Sequence, residues 1–155
     1  MRDYCDGNRG KFQYMDYGKR LVLFDGMRYE GRDGAYNVTP TDIDGCIQLD
    51  RENCIIFFEL KYAGRIPNGQ RSALETICNA IDNGGTNSII FQAEHKEQTS
   101  DVHEPIMAKD AIVKQVYWKG GWIHIKSRRR LGEMIDNFIH YARRIEEQEN
   151  AERVT

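Results

Sequence analysis

Asp42, Asp44, Glu59 and Lys61 are the residues of this chain whose types and spacing suit joint chemistry. Asp42 and Asp44 stand two apart, as do Glu59 and Lys61, so each pair projects from one face of its segment if that segment is a β-strand. The polar run Asp50-Arg51-Glu52-Asn53 lies between them. A hairpin closed symmetrically about Arg51 and Glu52 sets Asp44 opposite Glu59 and Asp42 opposite Lys61. Carboxylates whose Cβ atoms are about 5 Å apart repel each other unless positive charge lies between them. A hard divalent cation meets that need, because Mg²⁺ takes one or two carboxylates together with waters and substrate phosphate. Such an ion activates water and offsets charge on a phosphodiester, and the Lys61 ammonium is suited to steady the attacking oxygen or the transition state. The chemistry expected is phosphodiester hydrolysis dependent on Mg²⁺ or Mn²⁺. Asp44 is preferred over Asp42 as metal ligand because it faces Glu59 in this register, which leaves Asp42 to pair with Lys61.

The elements that must position these residues follow from periodicity. Leu21 to Phe24 is a short apolar run stopped by Asp25-Gly26 and predicts a strand, followed by a loop rich in Gly and Arg. Residues 1 to 20 show no clear period. Asp42 to Leu49 alternates, with Ile43, Ile47 and Leu49 on one face, and Cys54 to Lys61 is a second strand dominated by Ile and Phe. Pro67 and Asn68 then supply a stop and an N-cap for a helix whose apolar residues Ala73, Leu74, Ile77, Cys78 and Ile81 recur at helical spacing up to Gly84-Gly85. Ser88 to Ala93 is an apolar strand, and the order strand, helix, strand implies a parallel crossover. Glu94 to Asp110 predicts a loop, Ala111 to Trp118 and Trp122 to Ile125 a second hairpin about Lys119-Gly120-Gly121, and Ser127 a cap for a long C-terminal helix. The fold class is therefore α/β, a mixed sheet with an antiparallel hairpin and one parallel crossover, flanked by helices.

With the hairpin in view, Pro40-Thr41-Asp42-Ile43-Asp44-Gly45 followed by Glu59-Leu60-Lys61 resembles the PD-(D/E)xK nuclease superfamily, the restriction-endonuclease-like fold. The segment from Thr39 to Gln70, with Gly69-Gln70-Arg71 opening the helix, is similar to small nuclease-like proteins of phages and prophages related to Holliday junction resolvases and VRR-type nucleases. The resemblance spans about residues 21 to 93. It implies that Asp44 and Glu59 bind metal with the Leu60 carbonyl, that Lys61 handles the nucleophilic water, and that Gln70 supports the site. It implies a DNA endonuclease, with branched molecules among the candidate substrates, encoded by a phage or prophage and working in the host cytoplasm. Members usually begin with a helix that can bring a further acidic residue, whereas residues 1 to 20 show no amphipathic helix. Asp25 and Glu30 are candidates for that acid but stand beside Gly in turn-like sequence. The rival reading is a catalytically inactive protein that keeps the nuclease fold to bind DNA or to assemble with partners.

The remaining features bound the class. A chain of 155 residues is long enough for one domain with its own core, so one folding unit is expected, with residues 111 to 150 adding a hairpin and a helix. No apolar run approaches the roughly 20 residues of a membrane span. A P-loop and a Rossmann glycine pattern are both lacking, which excludes the common nucleotide-binding modules. The cysteines Cys5, Cys46, Cys54 and Cys78 have no metal-ligand spacing and suit small core residues in a reducing compartment. The formal net charge of −2 is low for a nucleic-acid binder, yet Lys126, Arg128, Arg129 and Arg130 form a basic cluster that the acidic tail from Glu146 to Glu152 offsets. Those four, with Arg65 and Arg71 beside the centre, are the candidate DNA contacts. His95 at the end of its strand is more readily a solvated residue than a catalytic one, and His103, His124 and His140 lack ligand spacing. Tyr117, Trp118 and Trp122 suit a core or a dimer interface better than base stacking. A homodimer is expected from the need for two centres to cut two strands.

Overall fold

The computed structural model describes residues 11–15, 21–25, 27–38, 43–99, 101 and 103–154, with side chains described at 30–35 and from residue 43 onward. The chain divides into two compact units, 1–42 and 43–155, where one folding unit is expected from its length. In the first unit β1 (Lys11–Met15) pairs antiparallel with β2 (Leu21–Asp25), and β3 (Met27–Gly31) with β4 (Gly34–Val38). The expected strand at Leu21 thus belongs to a two-stranded sheet of its own. The loop expected after it is instead a hairpin. Its Gly and Arg content masks Tyr29, Tyr36 and Val38, which favour strands, while Gly34 at φ +110° supplies the turn.

The second unit is a five-stranded mixed sheet in the order β5 (Gly45–Leu49), β6 (Cys54–Lys61), β7 (Asn87–Glu94), β8 (Ile112–Trp118) and β9 (Gly121–His124). Helix α1 (Asn68–Asn83) links β6 to β7, the one parallel pair, and α2 (Leu131–Arg153) follows β9. Strand β6 is apolar at nearly every position because a neighbouring strand lies on each edge and a helix layer on each face. Phe57, Leu74, Cys78, Ile90 and Tyr117 form the core on the α1 side. Cys54, Ile56, Ile89, Phe91, Val116, Leu131 and Phe138 form the larger core on the α2 side. Cys54 and Cys78 are buried as expected, and apolar surroundings push both thiols up to about 11. Cys46 corrects the expectation. It is exposed on edge strand β5.

Two helix starts also differ from the sequence-based expectation. Pro67 itself precedes the first helical residue of α1, and its carbonyl accepts the first helical N–H, from Arg71, at 2.9 Å. Ser127 does not cap α2, which begins at Leu131 after Arg130. The intervening backbone is taken up by β8: the Ile125 N–H donates to the Lys114 carbonyl, and the Val113 N–H to that of Arg129. Tyr117 is a buried core residue that donates its hydroxyl to Asn79, whereas Trp118 and Trp122 are partly buried against the two cores, Trp118 meeting Phe138 and Tyr141 edge-on. Among the described residues no helix is long and apolar enough to cross a membrane.

The β5–β6 register is the one that matters for the candidate centre. Gly45 pairs with Phe58, Ile47 with Ile56 and Leu49 with Cys54, so Asp44, one step beyond the ladder, stands opposite Glu59. The turn that sets this register closes at Asn53, whose φ of 45° lies in the left-handed region that Asn tolerates. Its side chain donates to the Gly85 carbonyl and to Glu146 Oε1, each at 2.9 Å, and accepts from the Thr86 hydroxyl. At the other end, the Phe58 ring fills the space beside Gly45, where an added Cβ would fall within 2.5 Å of three ring carbons. We expect Gly45→Ala to lower stability to urea by about 1–3 kcal/mol by forcing that ring aside. In the double variant with Phe58→Leu the losses should sum to less than the two singles; strict additivity would mean that Gly45 and the ring are not coupled.

Candidate metal centre

Strand periodicity and the hairpin register bring four of the residues singled out in the sequence together on the α1 face of the sheet. Asp44 is exposed, whereas Glu59 beneath it has no solvent exposure. The two are tied reciprocally through the backbone. The Asp44 N–H donates to Glu59 Oε1 at 3.3 Å, and Asp44 Oδ2 accepts from the Leu60 N–H at 2.6 Å. The other oxygen of Glu59 accepts from the Gln70 amide at 2.6 Å and lies 3.3 Å from Lys61 Nζ, which in turn donates to Gln70 Oε1 at 3.3 Å. Gln70 reaches the site because it sits in the first turn of α1, buried over the end of β6. An amide suits that position, since it donates to the carboxylate with one end and accepts from the ammonium with the other.

These contacts leave Glu59 under opposing influences. Burial raises its pKa most, the Asp44 charge raises it further, and Lys61 lowers it, with the outcome at about 7. The carboxyl is thus poised to change charge near neutrality. The donor set fits a small hard cation: two carboxylates on adjacent strands, short of compensating positive charge, beside a backbone carbonyl. That carbonyl is Leu60's. The Lys61 carbonyl accepts from the His95 N–H on the β7 side, and strand alternation turns the Leu60 carbonyl to the opposite side, where its own N–H meets Asp44. Among the described residues no group of three or more His, Cys, Asp or Glu side chains gathers, and Asp44 and Glu59 are the two described carboxylates that could serve as donors here. Asp42 lies outside the described residues, as does Asp25 except for its backbone.

The candidate nucleic-acid contacts lie on three segments of the chain, and several of them are paired with acids. Arg65 is exposed in the loop between β6 and α1. Arg71 turns across the sheet, with its guanidinium 4.3 Å from the Trp122 ring and Nε 3.1 Å from Glu75. Lys126, Arg128, Arg129 and Arg130 are exposed ahead of α2, where Arg128 meets Glu97 at 2.5 Å and Arg130 meets Asp110 at 3.7 Å. The sequence reading missed two supporting residues, Gln92 and Glu94. Gln92 is paired in register with Glu59, and Glu94 with Lys61. A bulge in β8 between the partners of Gln92 and Ala93 gives Lys114 the extra position, from which it reaches Glu94 at 3.7 Å. The available signal was a lone amide inside the apolar run Ile89-Ile90-Phe91-Gln92-Ala93.

A group whose folded pKa is raised holds a proton that the unfolded chain has already released, so stability falls as pH rises between the two values. For Glu59 the window runs from the ordinary 4.5 to about 7. In EDTA, urea midpoints of the wild-type protein should decline across that window relative to those of Glu59→Gln and run parallel above it. Parallel profiles throughout would mean that Glu59 titrates normally.

No family model, curated protein or solved structure matches this chain in comparison.

Proposed function

We propose that the chain is a metal-dependent phosphodiester hydrolase acting on DNA, built on a restriction-endonuclease-like core, with Asp44, Glu59, Lys61 and Gln70 as its working residues. The observation that carries this reading is the fully buried Glu59, opposed by Asp44 and bridged to Lys61 through Gln70. Burying a carboxylate costs several kcal/mol, and an apolar residue of similar size generally serves stability as well or better. A site that retains such a group, with a perturbed pKa and a second carboxylate beside it, has the character of chemistry rather than of scaffolding.

In this reading Asp44, Glu59 and the Leu60 carbonyl hold Mg²⁺ or Mn²⁺, which when bound supplies Lewis-acid stabilisation of the phosphate and a more acidic water. Glu59 serves in its ionised form, and Lys61 and the ion both favour that form. The Lys61 ammonium donates to the attacking oxygen or to a phosphate oxygen as negative charge grows there. Gln70 is a positioning residue that keeps the amine turned toward the centre. Helix α1 excludes water from the inner oxygen of Glu59, which strengthens each of these interactions.

Cleavage of supercoiled, branched and single-stranded DNA should require Mg²⁺ or Mn²⁺ and cease in EDTA. Lys61→Ala should lower the single-turnover rate about 10²- to 10³-fold, Glu59→Ala should abolish it to background, and Gln70→Ala should cost roughly tenfold, the equivalent of one hydrogen bond. With the ion bound, the wild-type rate should rise at a pH below the metal-free value of about 7, because a cation beside Glu59 favours its carboxylate. Cleavage indifferent to Glu59→Ala and Lys61→Ala would assign the activity elsewhere, and metal-independent binding without cleavage would favour an inactive DNA-binding protein.

A further inference from the structure

The C-terminal ends of β6 and β7 carry a second constellation that the hydrolytic reading does not use. Tyr62 follows Lys61 directly, and 57% of its surface is exposed. The one ring it meets among the described residues is that of His95, edge-on at 5.9 Å between centroids and 73° between planes. His95 in turn donates its backbone N–H to the Lys61 carbonyl at 3.0 Å. Tyr62 thus follows β6 directly and His95 follows β7, with the two backbones tied at Lys61 and His95.

The loop beyond Tyr62 is held with unusual care. The Gly64 carbonyl accepts from the Gln92 side chain at 2.5 Å, while the Gly64 N–H donates to Glu94 Oε1 at 3.3 Å. Gln92 is 2% exposed, and Gly64 has a φ of +106° that disfavours other residues. Two strand residues from beneath therefore restrain one glycine, and with it the chain that presents Tyr62 and Arg65. Behind His95 opens a cleft of about 230 Å³ bordered by Glu94, Glu97, Asp110, Arg128 and Arg130, and His95 Nδ1 is buried with no hydrogen-bond partner among the described residues.

Charge pairing narrows what this edge can bind. Arg71, Lys114, Arg128 and Arg130 are each engaged by a carboxylate. Phosphate contact by these four, in a duplex or a single strand, would first have to displace a carboxylate. An exposed, braced aromatic ring offers another source of affinity, since every base has a face to stack.

We propose that Tyr62, braced by His95, is a stacking platform for an unpaired base beside the scissile phosphate, so that single-stranded DNA, or the unpaired segment of a branched molecule, is the substrate class. The position of that phosphate rests on the hydrolase reading; the platform itself does not need catalysis. The test is fluorescence anisotropy in EDTA with the full chain, using a short labelled oligothymidylate and a blunt duplex of equal length. Wild-type protein should bind the single strand more tightly than the duplex. Tyr62→Ala should weaken single-strand binding about tenfold or more and leave duplex binding unchanged, while Tyr62→Trp restores it. Equal single-strand affinity in wild type and Tyr62→Ala, an equal loss on duplex, or no single-strand binding by the wild type would overturn the platform. Adding Mg²⁺ separates the two readings. Selective loss of binding in Tyr62→Ala, from a protein that cuts nothing, removes the hydrolase and leaves the platform; unimpaired binding and cutting of single strands by Tyr62→Ala does the reverse.

Discussion

The pairing of β5 with β6 is the constraint on which the candidate centre depends. Side chains alternate along a strand, so a slip of one residue would carry Asp44 to the α2 face and leave Glu59 alone under α1. Three local features hold the register against that slip. Asn53 accepts a left-handed backbone and binds two separate segments, at Gly85-Thr86 and at Glu146, Gly45 leaves room for the Phe58 ring, and Ile47 and Leu49 are partly buried against the α2-side core in this pairing. The turn and the apolar face agree, as they must when a polar face is to be placed by an otherwise hydrophobic hairpin.

Around that register the protein tolerates an electrostatic tension. Glu59 is withdrawn from water into a position that apolar packing would favour, next to another acid, with one amine and one amide as partners. Apolar clusters on both faces of the sheet supply the stability against which this cost is set. Gln92 and Glu94 extend the polar arrangement along β7, so the same end of the sheet that holds the acids also restrains the loop beyond β6.

Much of this could be read from the chain itself, because its signals are local. The alternation from Gly45 to Leu49, the polar turn at 50–53 and the paired Glu59 and Lys61 lead to the observed register, although Ile43, expected on the face of Ile47 and Leu49, precedes the strand and packs on the α1 side; the spacing of Leu74, Cys78 and Ile81 leads to α1 and hence to Gln70. What escaped depends on partners distant in sequence. The segment 125–130 resembles a helix start by composition, yet it lies along β8 and defers α2 to Leu131. The basic cluster gives no sign in sequence that Glu97 and Asp110 will meet it, and Gln92 discloses its role only once β7 is laid beside β6. The hairpin at 27–38 was hidden by composition, since glycine and arginine outweighed the tyrosines in a stretch too short for periodicity to speak clearly.

Asp44, Glu59, Lys61 and Gln70 all fall between residues 44 and 70. Loops this short are inexpensive to close, since closure entropy grows only with the logarithm of length. A chain emerging from the ribosome can therefore bring the hairpin and the first turn of α1 together while α2 is still unmade, and the later strands arrive to bury an arrangement already sketched. Synthesis order would then favour early assembly of the centre, leaving the C-terminal helix to close the opposite face.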